Sequence, residues 1–258
     1  MAWPDWRVLA EKGGIMRIIF SRKGFDSAAG GGASPIVGGT PVSLPIPGGG
    51  FSRTTYGDLG LGALAGAASR GRLSADDLCH HDPMFRADGT CLFGQCGAAQ
   101  THLANQQVGM GDIFVFFGLF REEATGEAHH RIFGFLKVEG LIDLATCPDA
   151  VREALADIGH PHALGMHGRN DVIYCGRGST ARSAQPALRL TVEGGPPSLW
   201  HRPPWLKQGG LTYHDRPDRW LRGSRLQSVA RGQEFVADIG RRQAPSDWLG
   251  GIIAAIEG

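Results

Sequence analysis

One stretch of the chain concentrates more chemistry than any other of its length: Ser21-Arg22-Lys23-Gly24-Phe25-Asp26-Ser27. Arg22 and Lys23 can neutralise phosphate, Gly24 lets the backbone turn, and Asp26 offers a carboxylate whose charge and orientation such neighbours set. A loop that follows directly on a strand is held rigidly while staying open to a ligand. The same residues also suit a surface loop in which Asp26 caps the next turn.

A second candidate surface is Trp200-His201-Arg202-Pro203-Pro204-Trp205-Leu206-Lys207, continuing through His214, Arg216, Arg219, Trp220, Arg222 and Arg225. Rings interleaved with cations stack bases and track a phosphate backbone. The alternative is that the tryptophans pack a core beneath a solvated basic rim.

His80-His81-Asp82 lies near Cys79, Cys91 and Cys96, a composition that raises the question of zinc. No paired C-x-x-C and no helical His pair at i, i+4 accompanies it, so the expectation is no metal. His81 and Asp82 can still line a pocket, and Gln95, Gln100, His102 and Asn105 are types that read a base edge or a sugar hydroxyl, or that hydrogen-bond loops. His167, Asn170 and Asp171 fall between predicted elements with no spacing that demands a role. Gln233 and Glu234 read by themselves as a solvated face.

The elements that must position these residues are uneven in clarity. Met16 to Phe20 predicts a first strand, and residues 1–15 are expected to be an extension outside the core, with Met16 the native start. Pro35 to Val37 and Val42 to Pro47, fenced by prolines, predict short edge strands. Tyr56 to Ala68 is compatible with a helix weakened by four glycines. The strongest signal is Ile113 to Phe120, a continuous β-branched and aromatic run that predicts a buried strand, with Ile132 to Val138 its partner in an antiparallel hairpin. Asp112 is expected to cap the turn before it. Asp171 to Cys175 and Ala187 to Val192 predict further strands, and Ala150 to Ile158 and Asp247 to Ile256 predict helices. The mixture lacks the alternation of a doubly wound sheet, which leaves an α+β fold over residues 16–258 as a single domain: a mixed, largely antiparallel sheet or partly open barrel with peripheral helices.

Bulk properties narrow the class. The 258 residues are 42% hydrophobic, enough for a core, and the net charge of +1 requires any nucleic-acid surface to be a local patch. Five cysteines in irregular spacing argue against a secreted disulfide framework. With no apolar run of membrane-spanning length and no signal-peptide pattern, a cytoplasmic location is expected. The absence of a dinucleotide fingerprint or P-loop leaves no cofactor expected.

Ile18 to Ser27, then Gly31-Gly32, Ser34-Pro35-Ile36 and Ser43 to Pro47, resemble the opening of the nucleotide-modification-associated domain family, type three. Gly111 to Gly118, Leu211-Thr212-Tyr213-His214 and Arg231 to Val236 extend the resemblance to about Asp238. It implies a link to phage or bacterial systems that install, read or remove hypermodified DNA bases, with DNA as partner. The expected activity is a DNA glycosylase that flips out a hypermodified pyrimidine and leaves an abasic site in anti-phage defence. Asp26 is its expected catalyst. Arg22, Lys23, Trp200, His201, Arg202, Trp205, Lys207, Arg219 and Arg222 are the expected DNA contacts, and Ser21, Phe25, His81, Asp82, Gln100 and His102 the base pocket. The alternatives are a non-catalytic reader built on a PUA-like element, which also carries a Gly-Asp turn before a strand, and a base-modifying transferase.

Overall fold

Ile113 to Phe117 point their side chains alternately into two different apolar layers, which is why the run reads as continuous rather than alternating. The computed structural model describes residues 16–165, 167–229 and 234–258. The expected extension 1–15 and the motif residues Arg231 to Gln233 lie outside the described residues.

In chain order the strands are β1 (Met16–Arg22), β2 (Ser34–Val37), β3 (Thr40–Pro41), β4 (Met84–Phe85), β5 (Thr90–Gln95), β6 (Ile113–Glu122), β7 (Ala128–Asp143), β8 (Val172–Thr180), β9 (Leu199–His201), β10 (Trp220–Leu221), β11 (Arg225–Gln227) and β12 (Glu234–Gly240). The helices are α1 (Gly62–Ser69), α2 (Gly97–Asn105), α3 (Asp149–Asp157), α4 (Pro161–Leu164) and α5 (Gln243–Glu257). Among the described residues, no helix is long and apolar enough to cross a membrane. One curled, mixed sheet runs β12-β1-β6-β7-β8-β5-β4, with β2 and β3 joined at the far end of β6. Its pairings are antiparallel except β1 with β6 and β2 with β6. A small sheet, β10-β11-β9, stands apart. The fold is therefore the α+β half-barrel with peripheral helices that the sequence implies.

Both faces of the large sheet are covered. On one, Ile18, Phe20, Val115, Phe117 and Phe235 pack against Leu249, Ile252 and Ile256 of α5 and against Trp200 and Trp205. On the other, Ile19, Phe114, Phe116 and Leu136 meet Phe93, Tyr174 and Leu103 of α2. The hairpin of β6 and β7 forms in the expected place, with Phe114 opposite Leu136. Asp112 caps its turn, accepting the Gly109 N–H at 2.8 Å, and also accepts the Arg17 N–H at 2.8 Å.

Three local expectations need correction. Ala187 to Val192 is not a strand: Pro186–Leu188 is a 3₁₀ turn, and beyond it there are only isolated bridges at Arg189 and Thr191. The helix expected from Tyr56 begins at Gly62, because Thr55 and Asp58 cap one another in a turn, Asp58 accepting the Thr55 N–H at 2.8 Å and the Thr55 hydroxyl accepting the Asp58 N–H at 3.0 Å. Val42 to Pro47 is not an edge strand: β3 ends at Pro41, and beyond it Pro47 makes only an isolated bridge with Cys79. The segments for which the sequence made no assignment fold as β5, a strand of the large sheet between β8 and β4, and as α2.

Candidate functional site

The site grows from the ends of β1 and β5, which the curl of the sheet brings to one cleft. β1 continues through Arg22, and Lys23 leaves it with its N–H donating to the Phe117 carbonyl at 2.8 Å. Gly24 then turns at φ +80°, where a side chain would press on Ser43 and on the Leu44 carbonyl. Lys23 reaches inward: its Nζ lies 3.0 Å from Oε1 of Glu234 and 4.3 Å from the centre of the Phe93 ring. Gln95 donates to the same carboxylate oxygen at 2.8 Å. Glu234 is buried, so the dipeptide that looks solvated in sequence ends in an interior anion, paired with the Lys23 ammonium.

The opposite wall is built of histidines. The His80 N–H donates to the Ile46 carbonyl at 2.9 Å. Asp82, whose side chain is 4% exposed, accepts the Gly94 N–H at 3.0 Å. His160 follows α3, its N–H donating to the Leu155 carbonyl, and α4 carries His162. The Nδ1 of His162 is hydrogen-bonded to Oδ1 of Asp171, and the other oxygen of Asp171 accepts the His167 N–H at 2.9 Å. Asp171 is fully buried, and it turns Nε2 of His162 toward Asp82. The separations from Asp82 are 3.9 Å to His80 Nε2, 3.9 Å to His162 Nε2 and 3.8 Å to His160 Nε2. The His162 ring also lies 4.5 Å from that of His167 and 5.4 Å from that of His80.

Burial dominates the protonation of this wall. It raises Asp82 to about 6, against the pull of His162, Lys23 and the Gly94 N–H. Burial first, then the neighbouring His162, His167 and Lys23, lowers His80 to about 3, and His160 is pushed well below its ordinary value. His80 and His160 are therefore neutral imidazoles at physiological pH.

Two cavities open here. One of about 230 Å³ is lined by Lys23, Asp26, His80, Asp82, Gln95, Cys96 and His162. One of about 380 Å³ is lined by Ser43, His81, Phe85 and Phe133. Lys23, Gly24 and Asp82 line both, so the two adjoin.

Of the residues selected by sequence, Arg22, Lys23, Asp26 and Asp82 meet at this cleft, with His81 in the adjoining cavity. Asp26 is half-buried, and its Oδ1 accepts the N–H groups of Ala28 and Ala29, each at 2.7 Å, so the carboxylate does cap its turn. Arg22 donates to the Val229 carbonyl at 2.9 Å, and burial lowers its pKa.

Others lie elsewhere. Ser21 is wholly buried on β1, and Phe25 packs with Leu44 and Tyr56. Gln100 is buried and accepts the Tyr174 hydroxyl at 3.0 Å, whereas His102 packs its ring 4.6 Å from that of Tyr213. The basic-aromatic segment is divided by its own apolar surface. Trp200 lies 4.9 Å from Phe117 and donates to His130 at 3.1 Å, and Trp205 packs 5.5 Å from Trp248 of α5, so neither ring is presented for stacking on a base. Arg202 lies over Trp220 at 5.9 Å, and Arg219 donates to the Gln227 carbonyl at 3.4 Å. His201, Lys207 and Arg222 are exposed.

Sequence reasoning did not find His160 or His162, and it left Asp171 and Glu234 without a role. The available signal was the density of histidine from His160 to His167, which has no regular period.

A family model described as nucleotide modification associated domain 3 matches residues 17–238. That span contains every side chain of the cleft. No curated protein and no solved structure matches the chain.

Proposed function

Since the chain belongs to the nucleotide modification associated domain 3 family, which ties it to modified nucleotides, we propose that the cleft receives a hypermodified pyrimidine flipped out of DNA and that the protein hydrolyses its N-glycosidic bond. The observation that carries this reading is the meeting of the two cavities at Lys23, Gly24 and Asp82. A base in one leaves the other for a bulky substituent, such as the sugar of a glycosylated hydroxymethylcytosine, and a partly apolar cleft with a few convergent polar groups is what a flipped nucleotide requires.

The chemistry follows from the groups in place. As the bond from C1′ to the base nitrogen breaks, positive charge develops on the sugar, and the Asp26 carboxylate at the cleft stabilises it. A water held beside Asp82 forms the new bond to C1′ and gives up a proton to the Asp82 carboxylate, while the departing base takes up one proton from solvent, so that one water is consumed in all. The products are a free base and an abasic site. Exposed His201, Lys207 and Arg222 remain available for backbone phosphates. Action on phage genomes carrying such bases fits this reaction.

One observation favours a second reading. Because Oδ1 of Asp26 is already committed to Ala28 and Ala29, the loop can serve as a rigid rim for a non-catalytic reader of modified bases. Incubation with duplex DNA containing glycosylated hydroxymethylcytosine, and with the unmodified duplex, separates the two. Mass spectrometry should detect the released modified base, with abasic sites appearing only in the modified strand. Binding without release supports the reader, and neither binding nor release defeats both.

A further inference from the structure

Three side chains in the cleft present ligand atoms to one point from separate parts of the chain. One ligand atom from each of His80, Asp82 and His162 lies within 4.8 Å of the other two, and Nε2 of both histidines is 3.9 Å from Asp82 Oδ2. We infer that His80, Asp82 and His162 bind a single divalent transition-metal ion of the zinc class, with Asp171 as the residue that orients His162 for it.

The geometry is close to what such an ion needs. Metal–ligand bonds of about 2.1 Å in a tetrahedral site place neighbouring ligand atoms roughly 3.4 Å apart. The observed separations of 3.9 Å from Asp82 Oδ2 to each Nε2 exceed this by a small side-chain movement, and they are too long for hydrogen bonds, so no competing bond must be broken. Two imidazoles and one carboxylate form a mixed nitrogen and oxygen set that suits zinc, iron or cobalt; calcium and magnesium prefer oxygen alone. Three protein ligands leave a coordination position open toward the cleft, where water or substrate can enter.

Two independent features support the assignment. The first lies behind the ligands. Asp171 is wholly buried and bonded to Nδ1 of His162, the carboxylate–histidine arrangement that fixes the tautomer of a metal-binding imidazole and leaves Nε2 as donor. The second is His160, whose side chain is fully buried while neither ring nitrogen has a hydrogen-bond partner among the described residues. An orphaned buried polar group is costly, and His160 Nε2 stands 3.8 Å from Asp82 Oδ1. A small rotation of Asp82 on binding an ion through Oδ2 would let Oδ1 accept a hydrogen bond from His160, so that His160 supports the carboxylate without entering the coordination sphere. The Lys23 ammonium that faces the site is itself paired with Glu234 at 3.0 Å, which offsets its repulsion of a bound cation.

The ion would make a bound water more acidic, whichever bond the cleft breaks. The assignment thus goes beyond the proposed reaction and is tested without it. The full chain, stripped with a chelator and then titrated with ZnCl₂ by calorimetry and with CoCl₂ by visible absorption, should take up one equivalent of either ion, and millimolar MgCl₂ should not compete. His80→Asn, at a partly exposed ligand, should weaken binding at least about tenfold, and Asp171→Asn by roughly 10- to 100-fold, with circular dichroism unchanged. Absence of saturable Zn²⁺ and Co²⁺ binding by the folded wild-type chain overturns the assignment, as does unchanged affinity in both variants. Because the readout is metal binding itself, its failure leaves the glycosidic reaction standing, and failure of base release leaves the metal site standing.

Discussion

A Cβ atom placed on Gly94 would overlap Cδ2 of His162, so the absence of a side chain on β5 is what admits the imidazole to the cleft. The same glycine donates its N–H to Asp82. One backbone position thus sets both the carboxylate and the histidine that faces it.

Gly94→Ala is accordingly expected to act on the site before it acts on the fold. Overpacking of this kind costs about 1–3 kcal/mol, readable as a lower urea midpoint. His162 must also leave its place against Asp82, so base release should fall by far more than the stability loss explains. Wild-type turnover in a folded Gly94→Ala protein would show that His162 is not needed there.

Lys23 and Glu234 form a pair whose side chains are 12% and 1% exposed, and pairs of this kind respond asymmetrically to substitution. Lys23→Met strands a buried carboxylate against the neutral Gln95 amide and should cost about 3–5 kcal/mol. Replacing both, Lys23→Met with Glu234→Gln, should recover most of that loss. Urea unfolding of the four proteins in a double-mutant cycle measures the coupling. Additive losses would mean that the two charges do not stabilise one another.

Asp26 has two separable duties. Asn in its place keeps a side-chain oxygen for the Ala28 and Ala29 N–H groups but removes the charge, whereas Ala removes both. Asp26→Asn should leave the unfolding midpoint nearly unchanged and lower base release by about 100-fold or more, the scale of a lost catalytic group. Asp26→Ala should lose about 1 kcal/mol in addition, as a missing cap does. Full activity in the Asn variant would reduce Asp26 to its turn.

How far these relationships can be read from sequence depends on the distance over which each is written. Ile113 to Phe120 and Ile132 to Val138 announce themselves because burial on both faces leaves an unbroken apolar run, and the turn between them is local. Lys23 and Asp82 stand out because their neighbours are unusual. β5 does not, since Thr90-Cys91-Leu92-Phe93-Gly94-Gln95 is short and interrupted by the glycine that the site needs. His162 and Asp171 come from a distant part of the chain, and the pairing of β5 with β8 brings them to Asp82. Trp200 and Trp205 mislead for the opposite reason. Their composition suits nucleic acid, but the apolar area of an indole is worth more against Phe117 and α5 than in water.

The buried histidines away from the cleft make the fold acid-sensitive in a predictable direction. His130 is 8% exposed, accepts the Trp200 indole N–H at 3.1 Å, and is lowered to about 3, by burial first and then by the neighbouring Arg22 and His129. Unfolded histidine titrates near 6.5, so above about pH 7 neither state binds the proton and stability is flat. As pH falls below about 6.5 the unfolded chain takes up a proton that folded His130 refuses, and stability drops by up to about 1.4 kcal/mol per pH unit until the folded group itself titrates. His130→Gln keeps an acceptor for Trp200 without the titration. Urea midpoints taken from about pH 7.5 to 5 should therefore fall less steeply in the variant than in the wild type, by close to one proton's worth of slope. Parallel curves would mean that His130 is protonated in the folded state and that the Trp200 hydrogen bond is broken by acid rather than defended against it.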